Sequence, residues 1–116
     1  MSNLRDFYSA VGGDYSAAIN RVADDEEFLL SLLHVFESDK TWGELIAGIE
    51  NCDVKAAFGA SHSLKGSTGM LGLDRLYKCM FDLTEALRAG DIVSAKAQLS
   101  ECEREYNITI DEIRRL

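Results

Sequence analysis

Residues 58–72 read Phe58-Gly59-Ala60-Ser61-His62-Ser63-Leu64-Lys65-Gly66-Ser67-Thr68-Gly69-Met70-Leu71-Gly72, and they hold the most informative pattern of the 116-residue chain. At helical spacing, small and mostly apolar residues recur on one face, namely Ala57, Ala60, Leu64, Thr68 and Leu71. Such a face is suited to burial between neighbouring helices. We therefore predict that this stretch is a helix of an α-helical bundle.

The opposite face of the same helix carries an imidazole, ammonium groups and three glycines: Lys55, Phe58, Gly59, His62, Lys65, Gly66 and Gly69. Glycine inside a helix costs roughly 1 kcal/mol relative to alanine. Glycines at this density are useful where another backbone must come close, so the face is interpreted as a docking surface around His62, with Phe58, Gly59 and Gly69 as partner contacts. The alternative is that the glycines break the helix into two pieces.

His62 is the candidate reactive group of this surface. Imidazole is a good nucleophile near neutral pH because much of it is unprotonated. Lys65, one helical turn further on, can offer positive charge to a phosphate placed on His62. Gly66 would leave space for the group that delivers that phosphate.

The segment Ala60-Ser61-His62-Ser63-Leu64-Lys65-Gly66, followed by Leu71-Gly72, resembles the signature of histidine-containing phosphotransfer (HPt) domains. That signature is a histidine, any residue, then Leu-Lys-Gly, with a Leu-Gly pair further along the chain. The similarity covers roughly residues 25–113 and is strongest across residues 56–90.

The resemblance implies a function and a set of site residues. HPt domains accept a phosphoryl group from the aspartate of a response-regulator receiver domain and pass it to another receiver, within histidine-kinase or hybrid-kinase systems. His62 would be the phosphoacceptor through Nε2, Lys65 would help to hold the phosphate, and Gly66 would keep the approach open. The domain would need no cofactor, since Mg²⁺ belongs to the receiver, and it would have no autokinase activity.

Two questions stay open at this level. Many family members place a polar amide about one helix later, beside the histidine, whereas the nearest positions here are Thr84 and Glu85. The ring of His62 would then be oriented by Thr84 or by a water molecule. The alternative function is a helical interaction module of HPt ancestry that binds a partner without phosphotransfer.

Composition excludes several other classes of protein. A net charge of −8, from 20 acidic and 12 basic residues, argues against a nucleic-acid or anionic-membrane partner. No apolar run approaches the ~20 residues of a membrane span. The odd number of cysteines and the lack of Cys-x-x-Cys spacing indicate reduced packing residues of a cytoplasmic protein, with no metal site. No Gly-rich nucleotide loop is present, and we expect a monomer.

The rest of the chain predicts an all-α fold, an antiparallel up-down four-helix bundle with additional N-terminal helices covering one end. The bundle helices are expected at about 41–52, 54–71, 74–89 and 92–114, and the N-terminal helices within about 2–38, together forming a single HPt-like domain over residues 1–116. The absence of proline favours such continuous helices.

Helix starts are predicted from capping residues. Asp14, Asp53, Asp74 and Asp91 are expected to act as N-caps, and capping boxes are expected to begin at Asp24 and at Thr41. The apolar stripes expected to face the core are Phe28, Leu29, Leu32, Leu33 and Phe36, then Leu76, Met80, Leu83 and Leu87, and finally Ile92, Ala95, Leu99, Cys102, Tyr106, Ile110 and Ile113.

Overall fold

The computed structural model describes residues 4–116, and every regular element within them is an α-helix. The helices are α1 (Leu4–Ala10), α2 (Tyr15–Arg21), α3 (Glu26–Ser38), α4 (Thr41–Glu50), α5 (Val54–Met70), α6 (Asp74–Arg88) and α7 (Ile92–Arg114). The all-α prediction is confirmed. The predicted first helix began at residue 2, and residues 2 and 3 lie outside the described part of the chain.

Helices α5 and α6 run antiparallel, and this register positions the site. Gly69 lies against the Tyr77 ring near the turn that joins the two helices. At the far end of the pair, the Arg88 guanidinium sits over the Phe58 ring. One face of α6 therefore lies alongside α5 from Phe58 to Gly69.

Helices α4 and α7 are also antiparallel. Near the start of α4, the Trp42 ring stacks on Tyr106, with ring centroids 4.4 Å apart. Just beyond the end of α4, Cys52 Sγ accepts a hydrogen bond from Lys96 Nζ at 3.4 Å. With α5 and α6 between them, these helices form an up-down bundle around a buried apolar core.

The core contains most of the predicted stripes. All five residues of the predicted inner face of α5 are buried, as are Leu76, Met80, Leu83 and Leu87 of α6. In α3 the stripe is only partly confirmed, because Leu29, Leu33 and Phe36 are buried whereas Phe28 is 51% exposed. In the α7 stripe, Ala95, Cys102, Ile110 and Ile113 are buried, and Ile92, Leu99 and Tyr106 are partly buried.

The N-terminal helices cover the end of the bundle where α5 turns into α6. The Tyr8 hydroxyl donates a hydrogen bond to the Leu71 carbonyl at 2.6 Å, and the Asp14 N–H donates to the Gly72 carbonyl at 2.8 Å. Arg21 Nη1 donates to the carbonyls of Gly69 and Met70 at 3.0 and 2.9 Å. The last carbonyls of α5, which lack partners inside their own helix, are thus satisfied from α1 and α2.

Three of the predicted N-caps are confirmed. The carboxylates of Asp14, Asp53 and Asp91 each accept the backbone N–H three residues later, at 3.0, 3.1 and 2.9 Å. Each bond satisfies one of the N–H groups that a helix start leaves unpaired.

The other three capping residues were predicted wrongly, although α4 and α6 begin at the predicted residues, Thr41 and Asp74. Asp25, not Asp24, caps α3, because Ala23 and Asp24 form a left-handed turn with φ of 54° and 63° that places Asp25 at the helix start. Thr41 starts no capping box: its N–H and its hydroxyl both donate to the Asp39 carboxylate, at 2.9 and 2.6 Å. Asp74 lies inside the first turn of α6, which has no side-chain cap.

The cysteines are free thiols, as expected. Burial raises the pKa of the Cys102 thiol to about 12 and also raises the pKa of Cys79. Both thiols lie where α6 meets α7, and Cys102 Sγ donates to the Cys79 carbonyl at 3.5 Å. None of the helices in residues 4–116 is long and apolar enough to cross a membrane.

Candidate functional site

The site is built on α5, which is one unbroken helix from Val54 to Met70. The alternative in which its glycines divide it is therefore wrong. Asp53 caps the helix at its start, and Gly72, in the left-handed conformation with φ of 69°, ends it. Because the Ala57/Leu64 face is held in the core, the opposite face is turned outward over its whole length.

His62 is exposed near the middle of this outward face. Its imidazole stacks on the Phe58 ring one turn earlier, with ring centroids 5.7 Å apart and an angle of 17° between the planes. Among residues 4–116, no side chain or carbonyl is hydrogen-bonded to the imidazole. Both ring nitrogens are therefore unobstructed by internal hydrogen bonds.

Neither Thr84 nor Glu85, the two nearest positions on the next helix, is hydrogen-bonded to His62. Thr84 is fully buried, and its hydroxyl donates to the Met80 carbonyl at 2.6 Å. The Glu85 carboxylate accepts a hydrogen bond from Arg88 Nε at 3.1 Å. Thr84 therefore does not orient the ring by a hydrogen bond, and of the two alternatives only the water molecule stays a prediction.

Lys65 and Gly66 share the outward face with His62. Lys65 is half-buried, and its Nζ lies 5.3 Å from the centroid of the Phe81 ring, a cation–π distance. No carboxylate within the described residues forms an ion pair with this ammonium. Gly66 is exposed, and a Cβ added there would have no atom within 4 Å.

The glycines assigned to partner docking differ in their surroundings. Gly59 is exposed, and a Cβ added there would also have no neighbour within 4 Å. At Gly69, an added Cβ would lie 3.2 Å from Cδ1 and Cε1 of Tyr77. Gly69 therefore has a packing role, because it lets the Tyr77 ring rest on α5, and its contact with a partner stays a prediction.

Sequence reasoning missed the contribution of α6. Tyr77, Phe81 and Arg88 flank α5; Phe81 is 42% exposed, and its ring centroid lies 6.2 Å from that of Tyr77. The available signal was the position of Phe81, one residue beyond Met80 and thus outside the predicted buried stripe. We call the surface formed by Phe58, His62, Lys65, Gly66, Tyr77, Phe81 and Arg88 the His62 face.

The charges of the His62 face contrast with those of the whole chain. The net charge of the protein is −8, yet Lys65 and Arg88 lie on this face and Lys55 is exposed on the preceding turn of α5. No group of three or more His, Cys, Asp or Glu side chains in residues 4–116 is arranged to hold a metal ion. The arrangement offers one exposed nucleophile, an open approach beside it, and positive charge for an anion.

Comparison with known families gives one match. The model of the Hpt domain family matches residues 33–115. The match covers most of the chain and contains the whole His62 face. Neither the curated proteins nor the solved structures include a match to this chain.

Proposed function

The chain belongs to the Hpt domain family, and from this premise we propose that it is a phosphorelay intermediate. It accepts a phosphoryl group on His62 from the aspartate of one receiver domain and passes it to the aspartate of another. The observation that carries this proposal is the exposed, hydrogen-bond-free imidazole of His62 next to the empty space at Gly66. The family itself links the chain to phosphotransfer in two-component signalling.

The transfer is a nucleophilic substitution at phosphorus. The lone pair of His62 Nε2 forms the N–P bond while the P–O bond to the donor aspartate breaks, and the electron pair of that bond leaves on the carboxylate. In the second half-reaction, an acceptor aspartate forms a new P–O bond, and the imidazole departs with the electron pair of the N–P bond. The helix holds the nucleophile in place, since α5 is fixed by its buried face.

Lys65 and Gly66 have separate roles in this scheme. The Lys65 ammonium has no internal carboxylate within the described residues, so its charge is available to the phosphoryl oxygens. Gly66, one helical turn beyond His62, would leave room for the approach to Nε2, since a Cβ added there would have no atom within 4 Å. Phe58, Gly59 and Gly69 extend the surface on which the receiver would rest.

The partners proposed are receiver domains of a histidine-kinase or hybrid-kinase system, which would bring the Mg²⁺ and the acidic residues that the chemistry needs. The acidic pocket of a receiver complements the positive charges of the His62 face. We propose that the protein acts as a cytoplasmic monomer without autokinase activity.

The test is transfer from receiver domains that have been phosphorylated on aspartate with a radiolabelled donor. We expect label on the wild-type protein that is lost in acid and kept in base, and we expect none on His62→Gln. The matched control is His34→Gln, because His34 is exposed and is the second of the chain's two histidines. Label that survives His62→Gln and disappears in His34→Gln would contradict the proposed site.

A different result would favour the alternative function. If the folded wild-type protein binds a receiver but takes no phosphate from phosphoramidate or from any phosphorylated receiver, it is an interaction module of Hpt ancestry. Binding measured by calorimetry beside the labelling reaction separates these two outcomes.

A further inference from the structure

The imidazole of a phosphoacceptor must present Nε2 outward, yet no hydrogen bond within residues 4–116 fixes the His62 ring. A side chain on a helix surface can occupy several staggered rotamers about χ1, and χ2 of histidine is broad. An unrestrained ring would therefore spend only part of its time in the reactive orientation. A contact other than an internal hydrogen bond can supply the restraint.

The contact available is the face of Phe58. A centroid distance of 5.7 Å and an interplanar angle of 17° correspond to an offset stack. Phe58 and His62 are four residues apart on α5, the spacing at which helical side chains meet. The stack leaves the edge of the imidazole, where both nitrogens lie, free of contact with Phe58.

Phe58 is itself held from the neighbouring helix. The guanidinium carbon of Arg88 lies 5.1 Å from the centroid of the Phe58 ring, and Arg88 is kept near by its 3.1 Å hydrogen bond to Glu85 one turn earlier on α6. Phe58 is half-buried, so the ring is restrained by its own helix and by α6. The chain Glu85–Arg88–Phe58–His62 thus connects the rigid bundle to an exposed ring.

We propose that Phe58 is the positioning residue of the phosphotransfer site, which orients the His62 ring by aromatic stacking where no hydrogen-bonding side chain does so, and that Arg88 supports it. This inference rests on the proposed function and changes the role of Phe58 from partner contact to internal support. A partner contact affects only the reaction with a receiver. A positioning residue also affects the reaction with a small phosphodonor.

The variant that tests this is Phe58→Leu, which keeps apolar volume but removes the flat ring. In a helix about two χ1 rotamers are accessible, and χ2 is roughly two-fold, so loss of the stack should reduce the reactive population about two- to fourfold. We expect the rate constant for phosphorylation by saturating phosphoramidate to fall by that factor. Phe58→Tyr retains the ring and should react at the wild-type rate.

Phe28→Leu is the matched control. Phe28 is an exposed aromatic residue on α3, outside the His62 face. It should leave the phosphoramidate rate unchanged. Thermal melts of each variant establish that the fold is retained.

A second measurement does not depend on phosphate. Three-bond couplings across χ1 of His62, measured by NMR, should report one dominant rotamer in the wild type and in Phe58→Tyr. In Phe58→Leu the couplings should be averaged over two or more χ1 rotamers. Arg88→Gln, at an exposed position, should give partial averaging, and it answers the question even if Phe58→Leu fails to fold.

The inference is overturned if the His62 couplings are the same in the wild type, Phe58→Leu and Arg88→Gln. It is also overturned if Phe58→Leu reacts normally with phosphoramidate and only raises the KM for a phosphorylated receiver, since Phe58 is then a docking contact. Failure of the proposed function looks different: the wild type would take no phosphate from receivers, while the couplings would still change on loss of the ring.

Discussion

Substitutions at Gly66 are expected to change the stability of the domain and its access to a partner independently. An alanine Cβ at this position would meet no atom within 4 Å, so the substitution introduces no clash. The gain is the difference in helix propensity between glycine and alanine, about 1 kcal/mol. For a chain of this size, Gly66→Ala should therefore raise the Tm by roughly 4 °C.

Gly48→Ala is the matched control, because Gly48 is also helical but lies against another helix. There an added Cβ would be 2.9 Å from the backbone nitrogen of Ala57 and 3.1 Å from its Cβ. The clash should outweigh the same propensity gain and leave a net loss of about 1–2 kcal/mol. The opposite signs of these two changes are measured by thermal and urea unfolding.

Gly66→Gln then tests access. Glutamine is a good helix former, so stability should equal or exceed that of the wild type. Its side chain would occupy the space beside His62, and a clash of about 1–3 kcal/mol with an approaching receiver would slow transfer roughly five- to 150-fold. Phosphoramidate, which needs little room, should label His62 at the wild-type rate. An unfolded Gly66→Gln variant, or one with undiminished transfer from a receiver, would refute the reasoning.

Two further predictions concern charge and burial. Lys65→Ala should shorten the lifetime of phosphohistidine or slow transfer up to about fivefold, since the charge of a solvent-accessible ammonium contributes about 1 kcal/mol or less. Lys78→Ala, whose ammonium pairs with Asp82 at 3.4 Å, is the control, and equal decay of the acid-labile label in both variants would remove Lys65 from the site. Iodoacetamide at pH 8 should alkylate Cys52, which is exposed, and spare Cys79 and Cys102, because burial raises the pKa of both thiols and keeps them protonated. Mass spectrometry before and after denaturation checks this prediction, and labelling of Cys102 in the native protein would contradict it.

Periodicity within one helix was enough to predict which side of α5 faces outward. The small and apolar residues identify the buried side of α5 in the sequence. His62, Lys65 and Gly66 could therefore be assigned to the opposite, outward side. The neighbours on α6 could not be found in this way. Whether Phe81 lies beside Lys65, or Arg88 beside Phe58, depends on how far α6 is shifted along α5, and that shift is set by three-dimensional packing such as Tyr77 on Gly69.

The choice of N-cap residue is limited in the same way, because it too depends on the local backbone conformation. Asp53 and Asp91 were identified correctly as caps, whereas Asp74, equally isolated in the sequence, lies in the first turn of α6. Where Asp24 and Asp25 are adjacent, the choice depends on the left-handed turn at Ala23 and Asp24, which no side-chain pattern encodes. At α4 the N-cap is Lys40, which makes no side-chain cap bond, and Thr41 donates through its N–H and its hydroxyl to the Asp39 carboxylate.

The hydrogen bonds from α1 and α2 to the end of α5 have a consequence for moving this site into other proteins. The family match begins at residue 33, but the carbonyls of Met70, Leu71 and Gly72 are bonded by side chains and backbone that precede that residue. A chimeric protein that carried only residues 33–115 would therefore leave the carbonyls at the end of α5 without these hydrogen-bond donors. The transferred segment has to include Tyr8 and Arg21, although neither belongs to the His62 face.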